Sequence, residues 1–270
     1  MFFRRKKIYE VGTALDRGIK RKAKPNQDKL MVLTCRDKRK LLPLLVLADG
    51  MGGYTGGAAA SQAVTHAFRT LYGKTKKTDD FQGFSSQAIE MALEEMKKYA
   101  AKDDQYANMG STLVAVCILP DRLSLVNVGD SRAYLFHNGT MQQISYDHSF
   151  VGEAVRAGLL QPEEAMTHPK RNQLTQSITP RRQEITPYFV EVPFEKNDVV
   201  LLCSDGLWGV VSAPMIQSVV IELPVQKAAE KLVKLANRRG GPDNISVIIA
   251  KHADAKPVSL QFSTDETLPG

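Results

Sequence analysis

Hydrophobic positions in the first hundred residues change from short apolar runs to a helical period. The apolar runs predict three strands, over Ile8–Ala14, Leu30–Cys35 and Leu44–Ala48. Apolar residues then recur at i, i+4 spacing and predict two helices, over Gly57–Leu71 and Ser86–Ala101. This part of the chain therefore predicts strands with a helix pair packed against them.

The middle of the chain predicts short strands separated by turns. These strands are Ser111–Leu119, Arg122–Val128, Arg132–His137 and Met141–Ile144. The pair Asn138-Gly139 separates the last two strands and is typical of a β-hairpin turn. A polar segment with two short helical pieces follows over about residues 148–185. We interpret it as a mobile flap inserted into the fold.

The last part of the chain again predicts strands followed by a helix pair. The strands are Tyr188–Val192, Val199–Cys203 and the final Ile245–Ala250, and the helices are Ala213–Glu222 and Val225–Arg239. Because strands and helices are grouped rather than alternating, we predict an α+β fold. It is a four-layer α/β/β/α sandwich in which two central, mostly antiparallel sheets are flanked by helix pairs. One domain is expected over residues 8–252, with a polar tail over 253–270.

Composition and charge narrow the possible partners. Apolar residues form 43% of the 270-residue chain, which is enough for a core, and the net charge is +7. Basic residues cluster, for example over Lys20–Lys24 and Arg36–Lys40. Aromatic residues form only 7% of the chain, and none interleaves these clusters for base stacking. We therefore expect no nucleic-acid partner, and the charge equally suits acidic or phosphorylated substrates.

Cysteine usage and hydropathy indicate the compartment. Cys35, Cys117 and Cys203 lie in apolar runs without paired spacing, which is typical of buried, reduced thiols. No apolar run is long enough to cross a bilayer, and no long apolar segment follows the basic N-terminal residues. We expect a cytoplasmic protein with no membrane association, acting as a monomer.

Four aspartates lie at the ends of apolar strands. Asp49 ends the run VLADG, Asp205 ends LLCSDG, Asp130 follows a strand in GDSR, and Asp243 precedes the last strand in GPDN. The start of an antiparallel strand lies beside the end of its neighbour, so Asp243 is expected to share an edge with Asp49 and Asp205. Converging carboxylates repel each other. Either their pKa values rise or a cation neutralises them.

The residue types around these aspartates indicate which cation would bind. Oxygen ligands without nearby His or Cys select Mg²⁺ or Mn²⁺, and adjacent glycines allow a backbone carbonyl to approach as a further ligand. Nucleotide-binding loops are not indicated, because Ala58 stands where a phosphate-binding loop needs lysine and Thr55 where a dinucleotide fingerprint needs glycine. The chain also has no Gly-x-Ser-x-Gly nucleophile elbow.

Eight motifs occur along the chain in the order found in one enzyme family. They are Asn26-Gln-Asp28, Ala48-Asp-Gly-Met-Gly-Gly53, Gly110-Ser-Thr112, Gly129-Asp-Ser-Arg132, Asp147-His-Ser149, His168-Pro169, Ser204-Asp-Gly-Leu207 and Gly241-Pro-Asp-Asn244. This set resembles the PPM-type (type two C) metal-dependent protein phosphatases, and its Met-Gly-Gly form is similar to the bacterial branch. The resemblance implies hydrolysis of phosphoserine and phosphothreonine in proteins by a metal-activated water, in opposition to a bacterial Ser/Thr kinase. Phosphorylated proteins, a Ser/Thr kinase among them, are the implied partners.

The resemblance also implies a role for each motif aspartate. Asp49 would bridge two catalytic Mn²⁺ or Mg²⁺ ions, with the Gly50 carbonyl on the second, and Asp205 and Asp243 would hold the first. Asp130 with Asp205 would hold a weaker third ion, and Asp28 would act through metal-bound waters. Asp49, Asp205 and Asp28 are thus the implied catalytic residues.

Two roles stay open at the level of sequence. Arg21, in Gly18-Ile-Lys-Arg21, is our choice for binding the phosphate because its planar fork binds two oxygens at once, and Lys22 or Lys24 are alternatives. Animal relatives have His where this chain has Met51, so the proton donor is a metal-bound water or a histidine from elsewhere. A phosphoprotein-binding module without catalysis and a basic metal nuclease are the rival hypotheses. The complete aspartate set argues against the binding module.

Overall fold

The computed structural model describes residues 9–34, 42–75, 80–182 and 184–252. The predictions for Ile8, Cys35 and the tail 253–270 lie outside these residues.

The strands are β1 Tyr9–Asp16, β2 Asp28–Leu33, β3 Leu44–Met51, β4 Gly110–Ser111, β5 Leu113–Ile118, β6 Arg122–Val128, β7 Arg132–His137, β8 Thr140–Gln143, β9 Tyr188–Pro193, β10 Val199–Cys203 and β11 Ile245–His252. The helices are α1 Gly53–Lys74, α2 Phe81–Lys102, α3 Phe150–Arg156, α4 Pro162–Thr167, α5 Asp205–Trp208, α6 Ala213–Glu222 and α7 Val225–Arg238. Short 3-10 turns cover Ile19–Arg21 and Asp104–Tyr106.

These strands form two antiparallel sheets. The first sheet has the order β1-β11-β10-β7-β8, and the second has the order β2-β3-β5-β6-β9 with the short β4 beside β3. Neighbouring strands are antiparallel throughout both orders. The chain passes from the second sheet to the first between β6 and β7, so the loop between them lies where the two sheets meet.

Side chains alternate along each strand between two cores. In β10, Val199 and Leu201 pack against the helices, whereas Val200 and Leu202 pack against the other sheet. In β3, Val46 faces the helices and Leu47 the other sheet. Both faces of these strands are buried, which explains their continuous apolar sequences. Each fully buried aliphatic side chain contributes about 1.5–3 kcal/mol of transfer free energy.

Helices cover the outer face of each sheet. Helices α1 and α2 pack on the second sheet and α5–α7 on the first. The predicted stripe of Ala60, Val64 and Phe68 on α1 is buried against the second sheet. The predicted four-layer α/β/β/α sandwich is therefore confirmed.

Two local predictions were wrong. Strand β3 does not end before Asp49 but continues to Met51, because Asp49 pairs with Asp28 of β2 and Gly50 pairs with Ser111 of β4. The predicted strand Ser111–Leu119 is divided at Thr112 into β4, which pairs with Gly50 and Met51 of β3, and β5 over Leu113–Ile118. Both differences arise from pairings between distant strand segments, which periodicity along the chain does not report.

Candidate metal centre

Five aspartates converge at one end of the sandwich. Asp28 and Asp49 come from the second sheet, where they stand opposite each other in the register of β2 and β3. Asp205 and Asp243 come from the first sheet, at the end of β10 and the beginning of β11, which are antiparallel neighbours. Asp130 lies in the loop that joins the two sheets. The expected edge shared by Asp49, Asp205 and Asp243 is thus a junction between two sheets rather than the edge of one.

Hydrogen bonds from both sheets fix the buried Asp28. Its Oδ2 accepts from Ser204 Oγ at 2.8 Å and from Ser246 Oγ at 2.6 Å, both on the first sheet's side. Its backbone N–H donates to Asn26 Oδ1 at 2.9 Å. Asp28 is 0% exposed, and these two serines therefore tie β2 to β10 and β11.

The backbone of Asp49 is held by the strand next to it. Its N–H donates to Thr112 Oγ1 at 3.0 Å, and its carbonyl accepts from the Thr112 N–H at 2.8 Å. Because the Thr112 hydroxyl already accepts a backbone hydrogen bond, its own proton is free for Ser131 Oγ, 2.7 Å away. Thr112 therefore holds the backbone of Asp49, whose carboxylate is directed into the cluster.

The aspartates share a strained electrostatic environment. Burial, and then repulsion from Asp28, Asp205, Asp130 and Asp243, raises the pKa of Asp49 well above its usual value. Burial and neighbouring carboxylates raise the pKa of Asp205 in the same way.

The pKa values of Asp28 and Asp130 are raised less than those of Asp49 and Asp205. Burial raises the pKa of Asp28 to about 6, although the Ser246 and Ser204 hydroxyls partly offset it. Burial and repulsion from Asp147 raise the pKa of Asp130 to about 7, with partial relief from Arg132. Without a counter-ion, the cluster therefore favours bound protons over negative charge.

This electrostatic strain predicts the pH dependence of the metal-free protein. Burial lowers the pKa of His148 below the usual histidine value of about 6.5. Above about pH 6.5 this histidine is therefore mainly neutral in both the folded and the unfolded state, and it contributes little to the change of stability with pH. The folded state retains protons on Asp49, Asp205 and Asp130 that the unfolded state has already lost, so stability falls as pH rises.

We therefore expect the melting temperature in chelator to fall between about pH 6.5 and about pH 8. Differential scanning fluorimetry with and without Mn²⁺ measures this effect, and added Mn²⁺ should flatten the slope. A melting temperature in chelator that stays constant or rises over this range would contradict the proposed origin of the strain.

The donor set fits a hard divalent cation. Asp28 Oδ1 and Asp205 Oδ1 are buried and accept no hydrogen bond among the described residues. Buried oxygen atoms of this kind are costly unless something binds them. The cluster offers only oxygen atoms, which suits Mg²⁺ or Mn²⁺. Within the described ranges, no three His, Cys, Asp or Glu side chains already stand in a metal-binding arrangement. One reason is that Asp243 is turned towards Arg21.

Gly50 is positioned where only glycine fits. A Cβ atom there would overlap the carbonyl oxygen of Gly57, at the start of α1, and lie 2.8 Å from the carbonyl oxygen of Gln27. Its N–H donates to that Gln27 carbonyl at 3.1 Å. The absence of a side chain thus lets strand β3 turn tightly into helix α1 beside Asp49.

Arg21 lies at the rim of the cluster, as the sequence led us to expect. Its Nη2 donates to Asp243 Oδ2 at 2.6 Å and its Nη1 to Gln27 Oε1 at 3.3 Å, and both ionic side chains are about one-third exposed, 31% and 32%. The guanidinium therefore reaches both the carboxylates and solvent. No ion pair or side-chain hydrogen bond to a described residue places Lys22 or Lys24 at the cluster, which favours Arg21 among the three.

Several supporting contacts were not predicted from the sequence. Gln27 N–H donates to Asn244 Oδ1 at 2.8 Å, and Asn244 Nδ2 donates to the Arg17 carbonyl at 2.8 Å, so the loop of Arg21 is fastened to the loop of Asp243. Gln27 and Asn244 both belong to motifs quoted above, but only the fold shows which residues they bind.

A second unpredicted network fastens the loop of Asp130. Arg132 binds Asp147 through Nε and Nη2, at 2.9 and 2.7 Å, and its guanidinium lies 3.6 Å over the Trp208 ring. Trp208 Nε1 donates to the Asp130 carbonyl at 3.0 Å. Trp208 therefore packs against Arg132 and links the helical turn of Asp205 to the loop of Asp130.

His148 and His168, which belong to two of the motifs quoted above, make local contacts. His148 Nδ1 accepts from the Gly129 N–H at 3.2 Å, and the His148 N–H donates to the Gly129 carbonyl at 2.9 Å. His168 stacks on Phe150 and its Nδ1 accepts from the Lys170 N–H at 3.1 Å. Ser149 caps helix α3 by accepting from the Gly152 N–H at 3.1 Å. These contacts support structural roles for all three residues in the flap.

The fold and the cluster together define a class. An α/β/β/α sandwich with aspartates of both sheets converging at one end, and an arginine beside them, is the arrangement of a phosphoprotein phosphatase.

In the described part of the chain, no helix has the length and apolar character needed to cross a membrane.

Comparison with known proteins identifies the family. The family model described as Protein phosphatase 2C matches residues 17–244. The chain is 33% identical over 230 residues to the serine/threonine phosphatase stp of Listeria innocua, covering 84% of this chain and 90% of that protein. The chain belongs to the protein phosphatase 2C family, and the phosphatase prediction made from its motifs is confirmed.

Solved structures agree in fold. The crystal structure of the Mycobacterium tuberculosis serine/threonine phosphatase PstP/Ppp matches with a TM-score of 0.81 and 33% identity, covering 91% of this chain and 99% of that one. A structure of the PstP catalytic domain in complex with two manganese ions matches with a TM-score of 0.79 and 32% identity, over 91% of this chain and 99% of that one. The predicted bacterial branch is therefore also confirmed.

Proposed function

We propose that this chain removes phosphate from phosphoserine and phosphothreonine in proteins, with Mn²⁺ or Mg²⁺ bound in the aspartate cluster. The observation that carries the proposal is the convergence of five aspartates from both sheets and the loop that joins them, two of which have a buried oxygen atom that accepts no hydrogen bond from a described residue. The PstP relative that contains two manganese ions supports the same choice of cation.

The residues divide into ligands and supports. We propose that Asp49 is shared by two ions, that the Gly50 carbonyl serves the second and that Asp205 and Asp243 hold the first. Asp130 with Asp205 would hold a weaker third ion. Asp28, which is anchored by Ser204 and Ser246, would orient water at the site.

The chain's own residues supply binding and orientation. When bound, a pair of divalent cations lowers the pKa of a water molecule and offsets charge on the phosphoryl group. Charge on Asp243 would then be satisfied without Arg21, which frees the guanidinium to bind two phosphate oxygens. Thr112, which is itself hydrogen-bonded to Ser131, holds the backbone of Asp49. Among the described residues, the ring contacts of His148 and His168 are to Gly129, Tyr146, Phe150 and Lys170 rather than to the aspartate cluster, so we propose solvent as the proton donor to the leaving oxygen.

The rate of phosphate hydrolysis by metal-stripped protein, measured before and after metal is restored, tests the proposal. We expect p-nitrophenyl phosphate and a phosphothreonine peptide to be hydrolysed only after Mn²⁺ or Mg²⁺ is restored. Binding of the phosphopeptide without metal-dependent turnover would favour the non-catalytic module. Steeply salt-dependent DNA binding or DNA cleavage would favour the nuclease alternative.

Asp130→Ala tests the third ion. Because Asp130 is proposed to share only the weaker site with Asp205, its loss should shift the Mn²⁺ dependence of the rate to roughly ten-fold higher concentration, about 1.4 kcal/mol. Isothermal titration calorimetry should show that the tighter sites remain. The exposed Asp121→Asn, at the β5–β6 turn, is the matched control and should leave both measurements unchanged. An unchanged Mn²⁺ dependence in Asp130→Ala would remove Asp130 from the ligand set.

We further propose a cytoplasmic monomer whose substrates include a Ser/Thr kinase. The buried thiols of Cys117 and Cys203 support a reducing compartment. Light scattering after size exclusion tests the monomer. Capture of phosphoproteins from a lysate by a metal-site variant, followed by mass spectrometry, tests whether a kinase is among them.

A further inference from the structure

A groove of about 770 Å³ leads away from the aspartate cluster. Asp205, Gly206 and Asp243 line it at the cluster, and it continues between the flap helices and the beginning of α6. Pockets of this size enclose most of a ligand of several hundred daltons. A phosphorylated side chain bound at the cluster would therefore have its own polypeptide at the mouth of this groove.

The two walls of the groove are mainly apolar. Val151, Val155 and Met166 form the flap wall, and Val211, Ala213 and Ile216 form the opposite wall. Met166, which is 45% exposed, and Ala213 stand at the surface of the groove, whereas Val151, Val211 and Ile216 are buried. An apolar lining on both sides of a groove is typical of a binding site.

The floor of the groove is rigid. It includes Arg132 and Trp208, whose guanidinium and ring stack at 3.6 Å, and Asp147 holds the other edge of Arg132. The charges of Arg132 and Asp147 satisfy each other, so the floor offers a flat surface rather than a free charge. Such a floor suits contact with an extended peptide backbone and an apolar side chain.

We propose that this groove binds the stretch of substrate polypeptide that adjoins the phosphorylated residue, and that it selects an apolar side chain there. The proposal rests on the proposed function, because it takes the aspartate cluster as the place where the phosphate binds. Continuity between the cluster and the groove favours the substrate as occupant. The substrate class is thus phosphoproteins with a hydrophobic residue close to the phosphothreonine or phosphoserine in an extended segment.

Paired variants on each wall test the groove with Mn²⁺-loaded protein. Met166→Glu places a charge on the flap wall, and Leu159→Glu places the same charge on the flap outside the groove, where Leu159 is 77% exposed. Ala213→Glu places a charge on the opposite wall in the first turn of α6, where an acid is compatible with the helix dipole. Met215→Glu, in the same turn but outside the groove, is its control.

The readout is kcat/KM for a phosphothreonine peptide with flanking leucines, divided by kcat/KM for p-nitrophenyl phosphate. We expect Met166→Glu and Ala213→Glu each to lower this ratio by roughly ten-fold, whereas Leu159→Glu and Met215→Glu leave it unchanged. Replacing the flanking leucines with serine should lower the ratio by roughly ten-fold for the unmodified protein and by little for the two groove variants.

A binding measurement separates the groove from catalysis. Fluorescence anisotropy of a labelled copy of the leucine peptide should show weaker binding to Met166→Glu than to Leu159→Glu, whether or not the peptide is turned over. Equal ratios in each pair, or no preference for leucine over serine, would overturn the groove proposal. Absence of Mn²⁺-dependent p-nitrophenyl phosphate hydrolysis by the unmodified protein would instead overturn the proposed function.

Discussion

Asp49→Asn is expected to lower kcat for p-nitrophenyl phosphate by about a thousand-fold or more, because several kcal/mol of transition-state stabilisation depend on the metal ions. Asp49 is the aspartate whose pKa is raised by all four of the other cluster carboxylates, so it stands at the electrostatic centre of the site. Asparagine keeps the shape of the side chain but removes the charge and one anionic oxygen. The rate is measured at saturating Mn²⁺.

The same substitution should stabilise the metal-free protein. At alkaline pH the folded state holds a proton on the Asp49 carboxyl group that the unfolded state has lost, whereas asparagine is neutral in both states, so the substitution removes this cost of folding. We expect the melting temperature in chelator at about pH 8 to rise by a few degrees, which corresponds to about 1 kcal/mol for a domain of this size. Activity and stability should therefore change in opposite directions, as they often do at functional sites.

The exposed Asp121→Asn is again the control for Asp49→Asn. Asp121 pairs with Arg122 at the far end of β5 and β6 with a 73% exposed side chain, so its loss should change neither rate nor stability appreciably. An Asp49→Asn protein that is as active as the unmodified one would refute the role of Asp49. A lower melting temperature in chelator would show that its carboxylate is stabilised by something other than the proposed cation.

Gly50→Ala is expected to cause the second large loss, in both stability and activity. The added methyl group would overlap the carbonyl oxygen of Gly57, so strand β3 and the start of α1 must move apart. Overpacking of this kind costs about 1–3 kcal/mol, and a displaced Gly50 carbonyl should lower kcat by roughly a hundred-fold. Chemical denaturation and Mn²⁺-saturated kinetics measure the two effects.

Gly73→Ala is the matched glycine control. Gly73 lies near the end of the same helix, α1, and outside that helix's own backbone and its chain neighbours no atom of a described residue lies within 4 Å of a Cβ placed there. Alanine favours the helix over glycine by about 0.5–1 kcal/mol, so this variant should be slightly more stable and fully active. If Gly50→Ala were as stable and active as Gly73→Ala, the close approach at Gly50 would have no functional meaning.

The sequence predicted most elements because their signals are local. Arg122–Val128 and Ala213–Glu222 have the predicted bounds, since turns or helix-starting residues flank clear apolar patterns. The strand assignment of Asp49 failed because it depends on pairing with Asp28 and on the contact of Gly50 with β4. Such pairings join distant segments and leave no period in the sequence.

The sequence named each residue of the candidate site, and the fold brings these residues together, but most of the contacts that support them were not predicted. The motifs identified Asp28, whereas the serines that anchor it lie 176 and 218 residues further along the chain. Arg132 and Asp147 stand in two separate motifs and Trp208 directly follows a third, and only the fold joins the three side chains into one network beside Asp130. Hydroxyls and ion pairs of this kind have no distinctive spacing, because the two sheets bring them together.

The central claim is that Asp49 is neutralised by divalent cations, and anomalous diffraction from crystals soaked with Mn²⁺ tests it most directly. The account predicts two manganese peaks that share the Asp49 carboxylate, one of them also in contact with Asp205 and Asp243, with Arg21 released from Asp243. Absence of any manganese peak within coordination distance of Asp49 would contradict it.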